Sequence, residues 1–177
     1  MLNEETLISE AIKNNAIAQR TLYERYSKAM FNTCLKMMHN DDEAKDTLQD
    51  AFIKAFTKLD SFDHNSTFGA WLKRIVINTC LNQINKNKKM IFVEEEQQTT
   101  LDTDYYDSEL KVELIQKAIP QLADGYRQII SLYLFEGYDH TEISKILNIS
   151  VSTSKSQYSR AKKKLKNIIT DIRHGKR

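Results

Sequence analysis

Residues 139–165, DHTEISKILNISVSTSKSQYSRAKKKL, join a short helical pattern to a longer one through a tight turn. Asp139 and Glu142 have the spacing of a capping box, which predicts that the short helix begins there. Asn148 tolerates left-handed backbone and Ser150 is a favourable N-cap, so we expect the turn between these two residues. A short helix, a turn of this kind and a longer helix are typical of a helix-turn-helix motif.

The longer helix, expected over residues 151–173, has an apolar face and a polar face. The apolar face is predicted from five residues: Tyr158, Ala161, Leu165, Ile168 and Ile172. The polar face carries hydroxyl and cationic side chains: Ser152, Lys155, Ser156, Ser159, Arg160 and Lys163. Small hydroxyls allow close approach to the major groove, arginine suits a guanine edge and lysines suit phosphates. A solvated face is the alternative for the lysine run alone, but the capped turn and the seryl face favour DNA binding.

The composition predicts an all-α protein, because 177 residues include only 4 Gly and 1 Pro among abundant helix formers. Helical periodicity covers eight segments: roughly residues 4–15, 17–39, 42–59, 68–88, 108–119, 124–136, 140–147 and 151–173. Residues 92–109, FVEEEQQTTLDTDYYDSE, have no such period. We therefore expect two small helical domains, residues 1–90 and 110–177, joined by a flexible acidic linker, residues 91–109.

The net charge of +2 is the sum of segments of opposite sign. Residues 1–93 carry 13 Lys/Arg and 11 Asp/Glu, whereas residues 94–114 carry 1 and 8. Residues 115–177 carry 12 and 5, a balance of +7. A basic carboxyl-terminal segment of this kind indicates a polyanion as its partner.

The stretch WLKRIVINTCLNQINKNKK, residues 71–89, predicts a helix with a broad apolar arc and a stripe of amides and cations. The stripe contains five residues: Arg74, Asn78, Asn82, Asn85 and Lys89. Asparagine both donates and accepts, which suits base edges, and cations suit phosphates. The preceding loop SFDHNSTF, residues 61–68, has two aromatic residues that fit either an unstacked base or the core beside a helix start.

The predicted helix over residues 42–59 has an acidic face away from its apolar stripe. That face contains Asp42, Asp46, Gln49, Asp50 and Ile53. A solvated surface and a protein-docking surface both fit it. A carboxylate metalloenzyme using Asp42, Asp46 and Asp50 is a further reading, but the sequence lacks the Glu-x-x-His companion of di-metal sites.

The remaining composition argues against cofactors and against membrane insertion. Cys34 and Cys80 are expected to be reduced and buried, and no histidine lies at metal-ligand spacing from them, so we expect no metal and no cofactor. The polar, acidic amino terminus differs from a signal peptide, and the longest apolar run is too short for a bilayer. We therefore expect a cytoplasmic protein without direct membrane insertion.

These segments, in this order, resemble a bacterial RNA polymerase sigma factor of the sigma-70 family, in its extracytoplasmic function (ECF) subgroup. The residues LYERY (22–26) and AKDTLQDAFIKAF (44–56) resemble the first helices of the family's region 2, and FGAWLKRIVINTCLN (68–82) its Trp-Leu-x-x-Ile-x-x-Asn helix. The segment DGYRQIISLYLFEGYDHTEISKILNISVSTSKSQYSRAKKKL (124–165) resembles region 4. Asn148 stands where the family commonly has glycine, and Ser154 where it is usually apolar.

The resemblance implies a non-enzymatic subunit that binds core RNA polymerase, at the beta-prime clamp and the beta flap, and directs it to promoter DNA. It implies polymerase binding by Asp46, Gln49 and Asp50. It implies minus-ten recognition and melting by seven residues of the loop and the following helix: Phe62, His64, Asn65, Phe68, Arg74, Asn78 and Asn82. It implies minus-thirty-five recognition by the polar face of the last helix, and an anti-sigma factor as a further partner. A stand-alone helix-turn-helix regulator with an amino-terminal dimerisation bundle is the alternative.

Overall fold

The computed structural model describes residues 3–38, 40–88 and 112–175. Within these ranges the regular elements are helices, with no strand, so the predicted all-α class is confirmed. The chain divides into two compact units, residues 1–90 and 91–177. Residues 91–109, the predicted linker, lie outside the described residues, as do His39 and Lys89. The exact domain boundaries stay a prediction.

The described residues of the amino-terminal unit form four α-helices and one 3-10 turn, Leu59–Ser61. The helices are α1 (Glu4–Ile12), α2 (Ala16–Met37), α3 (Asp41–Thr57) and α4 (Phe68–Lys88). Asparagine caps begin two of them, because the Asn15 side chain accepts from the backbone N–H of Ile17 at 3.0 Å and Asn40 accepts from that of Glu43 at 2.7 Å. The first helix ends three residues before the predicted position.

Helix α4 packs against both α2 and α3. Its predicted apolar arc is buried as a whole: Leu72, Val76, Ile77, Cys80, Leu81 and Ile84. Burial of such side chains is worth roughly 1.5–3 kcal/mol each. The arc therefore fixes the rotation of α4 and leaves its amide stripe towards solvent.

Tyr26 ties the start of α4 to α1. Its hydroxyl donates to the Glu4 carboxylate, and burial together with this bond raises the pKa of Tyr26 to about 12. The Tyr26 ring lies edge-on to Phe68, with 5.2 Å between centroids. A Cβ at Gly69 would lie 3.0 Å from Tyr26 Cε1, so the close approach of the ring favours glycine there.

The carboxyl-terminal unit contains α5 (Val112–Ala118), α6 (Asp124–Ile130), α7 (His140–Leu147) and α8 (Val151–Arg173). Its core cluster joins α5, α6 and α8 and consists of Ala118, Ile119, Leu122, Ile130, Ala161, Leu165 and Ile169. Arg127 is buried; it forms an ion pair with Asp124 and donates to the Pro120 carbonyl at 3.2 Å. This side chain holds α6 against the turn that precedes it.

Two details of this unit differ from the sequence-based prediction. The helix predicted over residues 124–136 is α-helical only to Ile130 and continues as a π-type segment, Ser131–Phe135. On α8 the predicted inward residues Ile168 and Ile172 are only partly buried, whereas Ile169 is buried. Ile169 lies four residues after Leu165 and continues the same helical face.

Candidate nucleic-acid interface

The helix-turn-helix predicted at the carboxyl terminus is formed by α7 and α8. The Asp139 side chain accepts from the Glu142 N–H at 2.7 Å, and the Glu142 side chain accepts from the Asp139 N–H at 2.9 Å. Asn148 has φ 54° and ends α7 in left-handed backbone. Ser150 caps α8 by accepting from the Thr153 N–H at 2.9 Å. The capping box, the turn and the N-cap all lie where the sequence predicted them.

The polar face of α8 turns towards solvent. Four of the six predicted residues are exposed and two, Ser159 and Arg160, are half-buried: the exposed ones are Ser152, Lys155, Ser156 and Lys163. The Ser156 hydroxyl donates to the Thr153 carbonyl at 3.0 Å, which leaves its oxygen as an acceptor. The structure thus brings all six residues to one side of one capped helix.

Beneath this face lies a polar pair between the two helices of the motif. Ser154 is 0% exposed, and its hydroxyl lies 2.9 Å from Nδ1 of His140, the first residue of α7. The His140 ring stacks on Tyr133 at 4.7 Å and meets Tyr158 edge-on at 5.5 Å. Burial lowers the pKa of His140, Lys155 lowers it further, and Asp139 opposes both. This pair holds the two helices together.

In the amino-terminal unit, the predicted amide stripe of α4 is exposed. Arg74, Asn78 and Asn82 are all exposed, as is Asn85 one turn further on. The side chains are accessible because the apolar arc occupies the opposite side of the helix. The stripe offers donors and acceptors beside a cation, which is the chemistry that base edges and phosphates require.

Phe62 and Phe68, which were predicted among the minus-ten residues, are buried. Phe62 packs on Trp71 at 5.4 Å and on Phe68 at 5.9 Å, so the two rings form a core cluster at the start of α4. Of the two uses that the sequence allowed for these aromatics, the structure shows packing against the core. They position the loop from inside rather than offering a ring to a base.

The loop between these aromatics presents His64 and Asn65 to solvent. His64 has φ 58°, a strained backbone for a residue with a side chain, and its ring lies 4.5 Å from that of Phe62. Asn65 donates twice to the carboxylate of Asp63. The loop is therefore held by Phe62 on one side and by Asp63 within it.

The acidic face of α3 is exposed at each predicted polymerase-binding residue, Asp46, Gln49 and Asp50. Ile53 on the same face is 57% exposed, which adds an apolar contact surface. Asp42 lies 3.5 Å from Lys45. In the part of the chain that the structure describes, no three His, Cys, Asp or Glu side chains are grouped as metal ligands. Among the same residues, no helix has the length and apolar character needed to span a bilayer.

Two supporting residues were missed by reasoning from sequence. Asp63 had a local signal, because it lies in a predicted loop, where an aspartate side chain commonly accepts from the backbone N–H two residues later in an Asx turn. His140 had none, because its partner Ser154 lies 14 positions away on another helix.

Comparison with known proteins matches each unit to a conserved part of one family. The family model described as Sigma-70 region 2 matches residues 22–90, and Sigma-70, region 4, matches residues 112–165. The ECF RNA polymerase sigma factor SigW of Bacillus subtilis is 31% identical, covering 93% of this chain and 96% of SigW. RNA polymerase sigma factor YlaC of the same organism is 30% identical, covering 88% and 94%.

Solved structures show the same fold. The sigma factor RpoE of Bartonella quintana, solved in complex with the anti-sigma factor NepR, aligns with a TM-score of 0.59 at 24% identity. The alignment covers 85% of this chain and 96% of RpoE. CnrH, solved with the cytosolic domain of CnrY, aligns with a TM-score of 0.55 at 23% identity, covering 94% and 97%. Together with the matched regions and relatives, this shows that the chain belongs to the sigma-70 family, among the ECF RNA polymerase sigma factors.

Proposed function

We propose that this chain binds core RNA polymerase and directs it to start transcription at specific promoters. The observation that carries the proposal is the 31% identity to an ECF RNA polymerase sigma factor over 93% of the chain, which spans both units. Regions 2 and 4 follow one another in the order that a sigma factor requires. This order favours a sigma factor over a stand-alone helix-turn-helix regulator, which has no need of region 2.

The minus-thirty-five element is recognised by α8. Arg160 is the residue suited to a guanine edge, and Lys155 and Lys163 are suited to phosphates. The support is the exposed polar face of α8, together with the capped turn that joins α7 to α8.

The minus-ten element is recognised by the loop at residues 61–68 and by α4. His64 and Asn65 at the loop surface would contact an unstacked base, and Arg74, Asn78 and Asn82 would contact the strand along α4. The aromatic cluster under the loop supports this arrangement because it fixes the loop relative to α4. A held loop loses less conformational entropy when it binds.

Core polymerase binds the exposed face of α3. Replacing Asp46, Gln49 and Asp50 together with alanine should lower binding to core polymerase by at least about tenfold, because several charge-assisted contacts are lost. Binding is measured by co-elution of the purified chain with core enzyme. Circular dichroism should show unchanged helicity, since all three side chains are exposed.

The matched control replaces three other exposed polar residues, Asp60, Gln116 and Asp171, with alanine. This variant removes the same charge and should bind core polymerase like the wild type. Normal binding by the α3 variant would disprove the docking assignment. A wild-type chain that does not bind core polymerase, and that binds duplex DNA by itself as a dimer, would instead support the alternative of a stand-alone helix-turn-helix regulator.

The same proposal has three further consequences, which concern catalysis, location and a regulatory partner. The chain has no catalytic activity of its own, because the polymerase performs the chemistry. It acts in the cytoplasm, where the polymerase and the promoter are. An anti-sigma factor is a further partner; the support is that RpoE, which has the same fold, was solved in complex with one.

A further inference from the structure

The orientation of the Asn65 amide is fixed by Asp63. The Asn65 backbone N–H donates to Asp63 Oδ1 at 3.1 Å, and its side-chain Nδ2 donates to Asp63 Oδ2 at 2.6 Å. A carboxylate only accepts, so the amide nitrogen must be the atom that faces it. An aspartate with its ordinary pKa of about 3.9 is ionised at neutral pH, and the backbone N–H and then the side-chain amide of Asn65 lower the pKa of Asp63 further.

The consequence is that Asn65 presents its carbonyl oxygen away from Asp63. Both residues are exposed, so this oxygen is available to a ligand. The loop that carries it is anchored at both ends, by buried Phe62 before it and by buried Phe68 after it. Thr67 adds a third constraint, because its hydroxyl accepts from the Ala70 N–H at 3.3 Å. These anchors and hydrogen bonds restrict the directions in which the acceptor is presented.

Bases differ in what they offer to such an acceptor. Adenine, cytosine and guanine each carry an exocyclic amino group, which donates. Thymine has none, and its ring N–H lies between two carbonyl oxygens. An approach to that N–H brings these oxygens against the Asn65 oxygen, beside the negative charge of Asp63, and like partial charges then face one another.

We infer that Asp63 sets the base specificity of the minus-ten loop by holding Asn65 as an acceptor, so that the loop takes a base with an exocyclic amino group and rejects thymine. The inference rests on the proposed function and adds a residue that does not itself need to touch DNA. Asp63 is thus a positioning residue for Asn65.

The experiment uses holoenzyme reconstituted from core polymerase and the full chain, on a promoter library randomised across the minus-ten element. Each library member carries its own barcode in the transcribed region, so sequencing of the barcodes in the transcripts gives the base preference at each minus-ten position. Wild type should deplete thymine at one position of the non-template strand. Asp63→Ala and Asp63→Asn both allow the Asn65 amide to turn its NH₂ group outward. The frequency of thymine at that position should therefore rise by about three- to tenfold, which corresponds to the free energy of one hydrogen bond.

The control variant is Asp60→Ala, which removes one exposed carboxylate three residues earlier and should leave every preference unchanged. Asn65→Ala should alter the same position as the Asp63 variants and no other. The inference is overturned if Asp63→Asn keeps the wild-type preferences, or if the position altered by Asn65→Ala favours thymine in the wild type. Failure of the wild-type holoenzyme to transcribe any library member would overturn the proposed function itself, and the two failures are thus distinguishable.

Discussion

At the scale of single residues, Ser154 and His140 show how a buried polar side chain is stabilised by a partner on another helix. A hydroxyl with no exposure costs stability unless it has a hydrogen-bond partner, and His140 Nδ1 is that partner. Neutral His140 accepts from the Ser154 hydroxyl at Nδ1 in the tautomer that carries its proton on Nε2, and the stacked ring of Tyr133 holds the imidazole in place. The pair thus replaces an apolar contact between α7 and α8 with one that depends on protonation.

The carboxyl-terminal unit should lose stability as the pH falls below about 6.5, the ordinary pKa of histidine. Because the folded pKa of His140 is lowered, the unfolded chain binds the proton first and the free energy of unfolding decreases. The decrease should end once the pH is below the folded pKa. Hydrogen exchange of the α7 and α8 amides between pH 7.5 and 5 measures it.

Replacing His140 with Phe should remove this pH dependence and destabilise the unit by about 1–3 kcal/mol, because the Ser154 hydroxyl loses its partner. Adding Ser154→Ala should recover part of that loss. His174→Asn, at an exposed histidine, serves as the control and should keep the wild-type pH dependence. A His140→Phe variant with the wild-type slope would refute the assignment.

At the scale of elements, the turn between α7 and α8 decides how the recognition helix is presented. Asn148 adopts φ 54° and ψ 50°, and its N–H donates to the Ser144 carbonyl as α7 ends. The following N–H, of Ile149, reaches the same carbonyl at 3.0 Å. Asparagine tolerates this left-handed backbone better than other residues with a Cβ, and glycine tolerates it without strain.

Asn148→Ala should therefore lower the free energy of unfolding of this unit by about 1 kcal/mol, whereas Asn148→Gly should stay within about 0.5 kcal/mol of wild type. Urea unfolding followed by circular dichroism measures both. Asn167→Ala, at an exposed position inside α8, is the matched control and should not destabilise the helix. Equal losses for alanine and glycine would mean that the backbone conformation is not the cause.

At the scale of the whole molecule, each unit has its own core and carries a different part of the proposed function. Covalent connection makes the second binding event intramolecular, with an effective concentration in the millimolar range for a short linker. The connection thus raises the overall affinity above that of either unit alone, by roughly 10²–10⁴-fold. Residues 91–109 connect the two units. This segment is negatively charged, whereas the carboxyl-terminal segment that follows it is basic.

A specific protease site inserted at residue 100 tests this connection. Cleavage of the purified chain should lower transcription at limiting concentration by about tenfold or more, because the two units then bind independently. A raised concentration of the cleaved chain should restore part of the activity. The uncleavable parent treated with the same protease is the control, and full activity of the cleaved chain at limiting concentration would contradict the expectation.

Local chemistry in the sequence determined the helices, the caps of the helix-turn-helix and the buried arc of α4. Helical periodicity, the capping box at Asp139 and the left-handed Asn148 depend on residues within about four positions of one another, which is why a single sequence shows them. The same locality explains the prediction of the exposed faces of α3 and α8, since a helix with one buried side exposes the other.

Tertiary structure alone decided which of the candidate side chains are available to a ligand. Phe62 and Phe68 fit a base-binding loop by composition, but the place they fill between Tyr26 and Trp71 buries them. Ser154 became a satisfied core residue only because α7 brings His140 within 2.9 Å of it. Burial and pairing of this kind depend on contacts between separate helices, and those contacts exist only once the helices have packed.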